Sequence, residues 1–462
     1  MATTGETLTS QANIMKVVYM PELQAVWHTS SPFMEEVTTG TLGSDPWISE
    51  VGGKGDYFYV PMVTAMQSTA RGIAEDAYIA AAKKVTTTRA RFNAKYSHIP
   101  VEFTFQAEQQ TSNPGVIVGG NLKELEFQYA AKAMKHELSR QLMAGGDGAY
   151  GYIDTATSGA TTTITCEPGL YDLTKPFTVT DMVFNILDNS AITSGTTLTT
   201  SEILAGTDEA ASAITSADPN VVTISSTSIT DAVGDTLVRS TAADGTSKAV
   251  ANIAGWGVDL LGVSALMGWS KLASDVPGNP LYELYGNINR SSTYMLPGFV
   301  NNAGASATSN APFSKYNLDT AILKQSKSGA NMSSVRMYMS PEVLIQVARA
   351  IQEDQGVKLD SVELKGGWKT PTYETAFCGP LPMVYDEFIR HYRIAMIDMS
   401  TMHYTEITPM RWFEWDDKGS ILKIHQDSTG VKFNYDAAMY LAHALWCHAP
   451  WKQMSIGYIS ET

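Results

Sequence analysis

Between Leu122 and Ala144 apolar residues return at helical spacing. Phe127, Ala131, Met134, Leu138 and Leu142 fall on one stripe, and Leu122, Leu125 and Tyr129 on a second. Lys123, Glu126, Lys132, Lys135, Glu137 and Arg140 fill the remaining faces. Asn121 can cap the first turn with Glu124 closing a capping box, and Gly145 and Gly146 supply a stop. The pattern predicts a helix of about 23 residues, about 35 Å long, roughly twice the usual length. Two apolar stripes and a wet face suit a strut between sheets better than a buried core helix.

The chain before this helix has a different texture. In residues 1–50 short apolar clusters, Ile14 to Tyr19 and Leu23 to Trp27, sit among polar stretches, with Pro21, Pro32 and Pro46 as breakers. Such a segment buries little by itself, and its aromatics (Tyr19, Trp27, Phe33, Trp47) imply that it lies against something else. Residues 51–110 read as a long hairpin. Asp56 to Val63 forms one strand, and a second runs from Val85 towards Phe105, where Thr86, Thr88, Ala90, Phe92 and Ala94 alternate with Thr87, Arg89, Arg91, Asn93 and Lys95. A two-stranded ribbon with no core of its own must pack on something. Lys83, Lys84, Arg89, Arg91 and Lys95 make it basic, so an acidic neighbouring copy of the chain is the expected support. The plainer reading is a solvated charged face.

After the helix, residues 148–249 are rich in Thr, Ser, Ala and Gly, with β-like runs at Thr161 to Cys166, Met182 to Leu187, Val221 to Ser225 and Thr236 to Arg239. Asp218-Pro219-Asn220 and Gly234-Asp235 mark turns. Short strands at regular spacing predict a small barrel or sandwich inserted as a module. Residues 250–400 are mixed α/β. Tyr316 to Gln325 reads as a helix, and Ser340-Pro341-Glu342 starts another, with Val343, Leu344, Val347, Ala348 and Ile351 on one face. Gly379-Pro380-Leu381-Pro382 leads into a strand ending at Tyr385, and Arg393 to Asp398 forms another. In residues 401–462, Met410 to Trp415 and Ile421 to His425 read as a hairpin turning at Asp416-Asp417-Lys418-Gly419, before a final β run from Ala437 to Ile459.

Composition narrows the function. Charged residues are 17% of the chain, below the usual fraction of about 25%, which leaves much of the surface neutral and polar, or covered by other chains. A net charge of −15 argues against gripping nucleic acid, which takes Lys and Arg against phosphates. Cys166, Cys378 and Cys447 show no CxxC spacing, which fits a reduced compartment with no thiolate zinc site. The first residues lack a signal-peptide pattern, and the most apolar run, Ala437 to Trp451, is too short to span a bilayer, so a soluble cytosolic product with no membrane partner is expected.

Candidate chemistry is thin. Gly146 to Gly151 matches GxGxxG, but it follows a helix where a dinucleotide loop follows a strand, so it reads as a helix exit. His443, Cys447 and His448 are the best metal candidate, although alternation in a strand turns His448 away from the other two. A core or interface pair is the better account. No cofactor, metal or catalytic residue is implied, and no enzyme is expected.

The order of arm, ribbon, long helix, mixed domain and closing β-strands resembles the major capsid protein of tailed bacteriophages, the α+β Hong Kong 97-type fold. GDYFYVPMV through VTTTRARFNAKYSHIPV is similar to that family's extended loop, and LKELEFQYAAKAMKHELSRQLM to its spine helix. YGNINRSSTYMLPGFVNN, YMSPEVLIQVARAIQ and GPLPMVYDEFIRHYRIAMIDMS resemble its axial domain, and MRWFEWDD onwards its closing peripheral strands. On this resemblance residues 1–50 are the N-terminal arm, 51–110 the E-loop, 111–147 the peripheral domain with its spine helix, 148–249 an inserted β-rich module, 250–400 the axial domain and 401–462 the closing strands.

The resemblance implies hexamers and pentamers that close into an icosahedral shell around packaged double-stranded DNA, held without specific binding. Arm and E-loop would lie across neighbouring subunits, with Trp27, Trp47, Lys83, Lys84, Arg89, Arg91 and Lys95 at those contacts. It also implies a portal, a separate scaffolding protein, a decoration or cement protein, assembly in the host cytoplasm and residence in the virion. Some members weld the E-loop to a neighbour through a Lys–Asn bond, and Lys54, Lys83 and Lys84 are nearby lysines, but nothing in the sequence calls for such a cross-link. An encapsulin-type nanocompartment of the same fold is the alternative, disfavoured by the large insertion. A surface-layer protein or adhesin ranks third, and an enzyme last.

Overall fold

The computed structural model describes residues 31–39, 57–65, 84–104, 122–146, 148–157, 162–166, 183–187, 209–214, 221–224, 236–239, 259–268, 284–286, 288–290, 295–302, 310–355, 361–363, 369–375, 378–390, 392–414, 422–427 and 430–460. They fall into two compact units. One holds Lys95–Ser139 and Glu406–His443, the other Ser31–Ala94, Arg140–Thr405 and Ala444–Thr462.

Pro32 is not a breaker. It opens a helix, α1 (Pro32–Thr39), at the position where a missing N–H is no loss. Ser31 Oγ accepts the Met34 N–H at 3.0 Å as its cap, and Phe33, Met34 and Val37 are buried. The ribbon follows as β1 (Tyr57–Ala65) antiparallel to β2 (Thr86–Asn93), with Phe58 opposite Phe92 and Val60 opposite Ala90. The strand expected to continue towards Phe105 breaks at Ala94, and β3 (Lys95–Thr104) joins a different sheet. Apolar parity explains the break. Buried positions are even-numbered through Ala90, Phe92 and Ala94, then odd-numbered at Val101 and Phe103, and one strand cannot hold both sets on one face.

The long helix, α2, spans Leu122–Met143. Ala130, Met134, Leu138 and Leu142 form its buried stripe. Its wet face does not run the whole length, because every residue from Leu138 to Ala144 is buried, Arg140 included.

The inserted module is a closed barrel. Strands β4 (Ala149–Thr157), β5 (Thr162–Cys166), β6 (Val183–Leu187), β7 (Glu209–Ile214), β8 (Val221–Ile224) and β9 (Thr236–Arg239) pair in the order β4-β5-β8-β7-β6-β9, antiparallel throughout. Closure leaves no exposed edge, and Ile153, Ile164, Ile186, Leu187 and Leu237 are buried within this module. The glycine run is a helix exit: Gly146 and Gly148 take φ of 77° and 71°, and Gly151 already lies in β4, a strand the sequence pattern did not disclose. The turns expected at Asp218-Pro219-Asn220 and Gly234-Asp235 lie outside the described residues.

The next stretch builds a mixed sheet. Helix α3 (Val263–Met267) precedes a small hairpin of β10 (Leu284–Tyr285) and β11 (Ile288–Asn289). Strand β12 (Gly298–Asn301), helix α4 (Lys315–Lys327), strand β13 (Val335–Met339) and helix α5 (Pro341–Gln355) follow. Ser340 Oγ accepts the Val343 N–H and caps α5, and Val343, Val347 and Ile351 bury the expected face. Strands β14 (Ser361–Glu363), β15 (Lys369–Thr375), β16 (Cys378–Tyr385) and β17 (Ile394–Asp398) complete this stretch, with β13 parallel to β16 and antiparallel to β17.

The closing strands are β18 (Met402–Trp412), β19 (Lys423–Asp427), β20 (Gly430–Cys447) and β21 (Met454–Gly457). β21 enters the seven-stranded sheet, ordered β12-β21-β17-β13-β16-β15-β14. Leu318, Ile322, Val347, Met337, Met383 and Ile394 fill its core. Among the described residues the hairpin expected from Met410 to His425 is not formed, because β18 and β19 each pair with β20 and not with one another, and its turn at 416–419 lies outside them. Tyr435 and Asp436 of β20 pair with both β3 and β19, so those two strands lie on opposite sides. Ala438, which pairs with Pro100 of β3, accepts the Phe413 N–H, which places the end of β18 on the β19 side. An 18-residue strand is long enough to take both in succession. Residues of α2 cover this sheet through Phe127, whose ring lies 4.3 Å from Trp412, and through Ala130 against Val101, Phe103 and Ala437.

Candidate functional site

The ribbon offers one face to its own unit and one to the outside. Alternation sets Met62, Ala90 and Phe92 on the buried face and Tyr59, Pro61, Val63, Thr87, Arg89 and Arg91 on the other. Tyr59 and Val63 are each 42% exposed. The face therefore combines apolar area with two guanidinium groups. Its base is anchored: the Arg91 N–H donates to the Gly286 carbonyl at 2.7 Å, and Phe92 meets Tyr285 edge-on at 5.3 Å and Trp446 at 6.0 Å. Gly286, at φ 57°, permits this approach, since a Cβ there would stand 2.8 Å from the Ala90 Cβ.

Of the contact residues chosen from sequence, Lys84, Arg89 and Arg91 are exposed on or beside the ribbon. Lys95 is not a ribbon residue: it opens β3 opposite His443 of β20, where it is half-buried. Trp27, Trp47 and Lys83 lie outside the described residues.

Sequence reasoning missed a second docking element, α1. The Glu36 carboxylate is buried and takes two donors from β13, the Tyr338 hydroxyl at 2.7 Å and Arg336 Nε at 3.2 Å. Phe33 sits edge-on to Tyr338 at 5.2 Å, and its N–H donates to Asp386 Oδ2 at 3.3 Å. Burial pushes the Asp386 carboxyl up to about 7, against the lowering influence of the Phe388 and Phe33 N–H groups and the Ser31 hydroxyl. The signal was present: Ser31-Pro32 with Glu35 behind it is the same helix start that was recognised at Ser340-Pro341-Glu342.

The metal candidates separate into ordinary surroundings. His443 is buried, with Nε2 3.4 Å from Ser97 Oγ, and burial pushes it down to about 4, so it is neutral near pH 7. Cys447 Sγ lies 3.4 Å from both Thr401 Oγ1 and Gln453 Nε2, and burial pushes its thiol up to about 11, which leaves it protonated and unreactive. His448 instead meets His403, with Nδ1 2.8 Å from Nε2. Among the described residues no three His, Cys, Asp or Glu side chains are placed to hold one ion. None of the described helices is long and apolar enough to cross a membrane.

No protein-family model matches the sequence, and no curated relative is found. The likeness lies in the fold. The chain superimposes on a subunit of the cyanophage A-1(L) capsid asymmetric unit with a TM-score of 0.52 at 9% identity, covering 98% of this chain and 99% of that one. Looser likenesses, too low to add weight, are to a Gordonia phage Cozz chain (TM-score 0.42, 10% identity, 100% and 97% covered) and to the SrpI encapsulin of Synechococcus elongatus (0.39, 8%, 99% and 97%). The chain has a capsid-subunit fold.

Proposed function

We propose that this chain is the major capsid protein of a tailed bacteriophage, forming hexamers and pentamers of an icosahedral shell around double-stranded DNA. The observation that carries the reading is the outward face of the ribbon, where Tyr59, Val63, Arg89 and Arg91 stand exposed on a segment whose other face anchors it. A whole-length match to a capsid subunit supports it. A ribbon of this kind suits a neighbouring copy of the chain: apolar area drives the contact, and the Arg pair selects an acidic partner surface, abundant in a chain of net charge −15. The same charge suits an inner wall that does not hold packaged DNA tightly.

In this reading β1–β2 is the E-loop, α2 with β3 and β18–β20 the peripheral domain, the seven-stranded sheet the axial domain, and the barrel an insertion. Scaffolding, portal and decoration proteins are the partners, host cytoplasm the place of assembly and the virion the final location. Electron microscopy of the expressed full chain tests the reading. Closed shells with hexameric and pentameric capsomers are expected, and deletion of Thr64 to Lys84 is expected to leave a folded subunit that no longer assembles. Monomers alone, a flat lattice, or normal shells from the deletion would contradict it.

A further inference from the structure

We propose that His403 and His448 form a two-imidazole site for a borderline divalent cation, Cu2+, Ni2+ or Zn2+. The facing nitrogens, His403 Nε2 and His448 Nδ1, are 2.8 Å apart. Two imidazole nitrogens bound to one ion at about 2.0–2.1 Å, with an angle of about 90–110°, stand about 2.9–3.4 Å apart. Lengthening this distance by a few tenths of an ångström, with a tilt of both rings so that their lone pairs converge beside the N–N axis, converts the hydrogen-bonded pair into a chelate.

The frame around the pair is fixed. His403, on β18, stacks on Trp446 with ring centroids 4.1 Å apart and an interplanar angle of 21°, and Trp446 Nε1 donates to Thr405 Oγ1 at 3.3 Å. The His448 N–H donates to the Thr401 carbonyl at 3.2 Å, which sets the backbone from which its ring projects. His403 is half-buried and His448 exposed, so an ion has a direct approach from solvent. Imidazole donors without thiolate or carboxylate select for the Cu2+, Ni2+ and Zn2+ class over Mg2+ and Ca2+. Cys447 adds nothing, being buried and engaged with Thr401 and Gln453.

In the hydrogen-bonded pair one facing nitrogen carries the shared proton. Binding needs both facing nitrogens bare, so the ring that holds the shared proton passes it to its other nitrogen, which for His403 is the buried Nδ1. Among the described residues no third ligand is in place, so water completes the coordination and the fold does not depend on the ion.

The test is equilibrium dialysis of the full chain against Ni2+, Cu2+ and Zn2+ at a pH about one unit above the histidine range and again about one unit below it. One ion per chain is expected at the higher pH, tightest for Cu2+, with most of it lost at the lower pH. His448→Ala and His448→Gln are each expected to lose that ion while unfolding at the wild-type temperature, and the exposed His98→Ala to retain it. The electron paramagnetic resonance spectrum of bound Cu2+ is expected to carry splitting from two nitrogens. Absence of saturable binding, or binding unchanged in both His448 variants, would overturn the assignment.

Discussion

Arg140 Nη2 donates to Asp259 Oδ2 at 2.6 Å across 119 residues of chain, and both side chains are buried. Between them runs the whole barrel. Arg140 also donates through Nη1 to the Ala149 carbonyl at 2.7 Å, and its guanidinium lies 4.7 Å from the Tyr150 ring. One side chain at the end of α2 thus holds the point where the chain leaves for the barrel and the point where it returns. Gly262 tightens the same junction, since a Cβ there would stand 2.3–2.6 Å from the carbonyl oxygens of Leu142, Gln141 and Ala144. Removing one member of a buried ion pair strands the other charge, which costs about 3–5 kcal/mol. Asp259→Ala is expected to lower the denaturation midpoint by that order and to open the junction to protease. Arg140→Met with Asp259→Ala together should cost less than the sum of the two single changes, read in a double-mutant cycle.

Asp386 makes the docking of α1 depend on pH. Its carboxyl is raised from 3.8 to about 7, chiefly by burial. The folded state therefore binds its proton more tightly than the unfolded chain does. Stability from this group is undiminished below the unfolded value, falls as pH rises from 3.8 to about 7, and stays reduced above that. The penalty has an upper bound of about 4 kcal/mol. Asp386→Asn cannot ionise, but its one oxygen replaces only one of the two that accept the Phe33 and Phe388 N–H groups. Its unfolding free energy, followed by urea titration, should lose the downward slope, with about 1–3 kcal/mol lost at every pH for the N–H group left without its acceptor. An unchanged slope would mean that Asp386 is ionised at neutral pH.

Glu36 joins α1 to β13 through Tyr338 and Arg336. Tyr338→Phe deletes the shorter bond and leaves a buried carboxylate one donor short, at a cost of about 1–3 kcal/mol. Phe33→Ala removes a fully buried ring at about 3–5 kcal/mol. Both variants should expose Pro32–Thr39 to limited proteolysis before the rest of the second unit unfolds.

Gly286→Ala places a methyl group 2.8 Å from the Ala90 Cβ and 3.0 Å from the Phe92 ring, at a φ of 57° that side chains rarely adopt. Overpacking of this kind costs about 1–3 kcal/mol. Since the clash is with the anchored face of the ribbon, the loss should appear as faster amide exchange in Ala90–Phe92, without change in the barrel.

Arg89→Glu with Arg91→Glu reverses the charge on the outward ribbon face. Both residues are exposed, so the subunit should keep its unfolding midpoint within about 0.5 kcal/mol. Sedimentation should then find subunits in place of shells. Wild-type assembly should weaken as salt rises through about 0.15 to 1 M, where the Debye length falls from about 8 to 3 Å. Shells from the reversed ribbon would remove the electrostatic part of the proposed contact.

The elements legible in the sequence are those whose register is local. Thr236–Arg239 matches its run residue for residue, α5 buries the apolar face that Val343, Val347 and Ile351 announced, and α2 ends at Met143, one residue short of the expected Ala144. Helical spacing, caps and alternation act within a few residues, so the chain alone sets them. Partners were decided elsewhere. Met410–Trp412 and Lys423–His425 look like the arms of a hairpin until β20, long enough to take both, competes for their edges. Lys95 passes from the ribbon to another sheet because apolar parity switches after Ala94. Arg140 sits on a helix as a solvated charge would, and only the return of the chain at Asp259 makes burial possible. Hydrogen bonds between strands and the neutralisation of buried charge depend on residues distant along the chain, and no local pattern encodes their arrival.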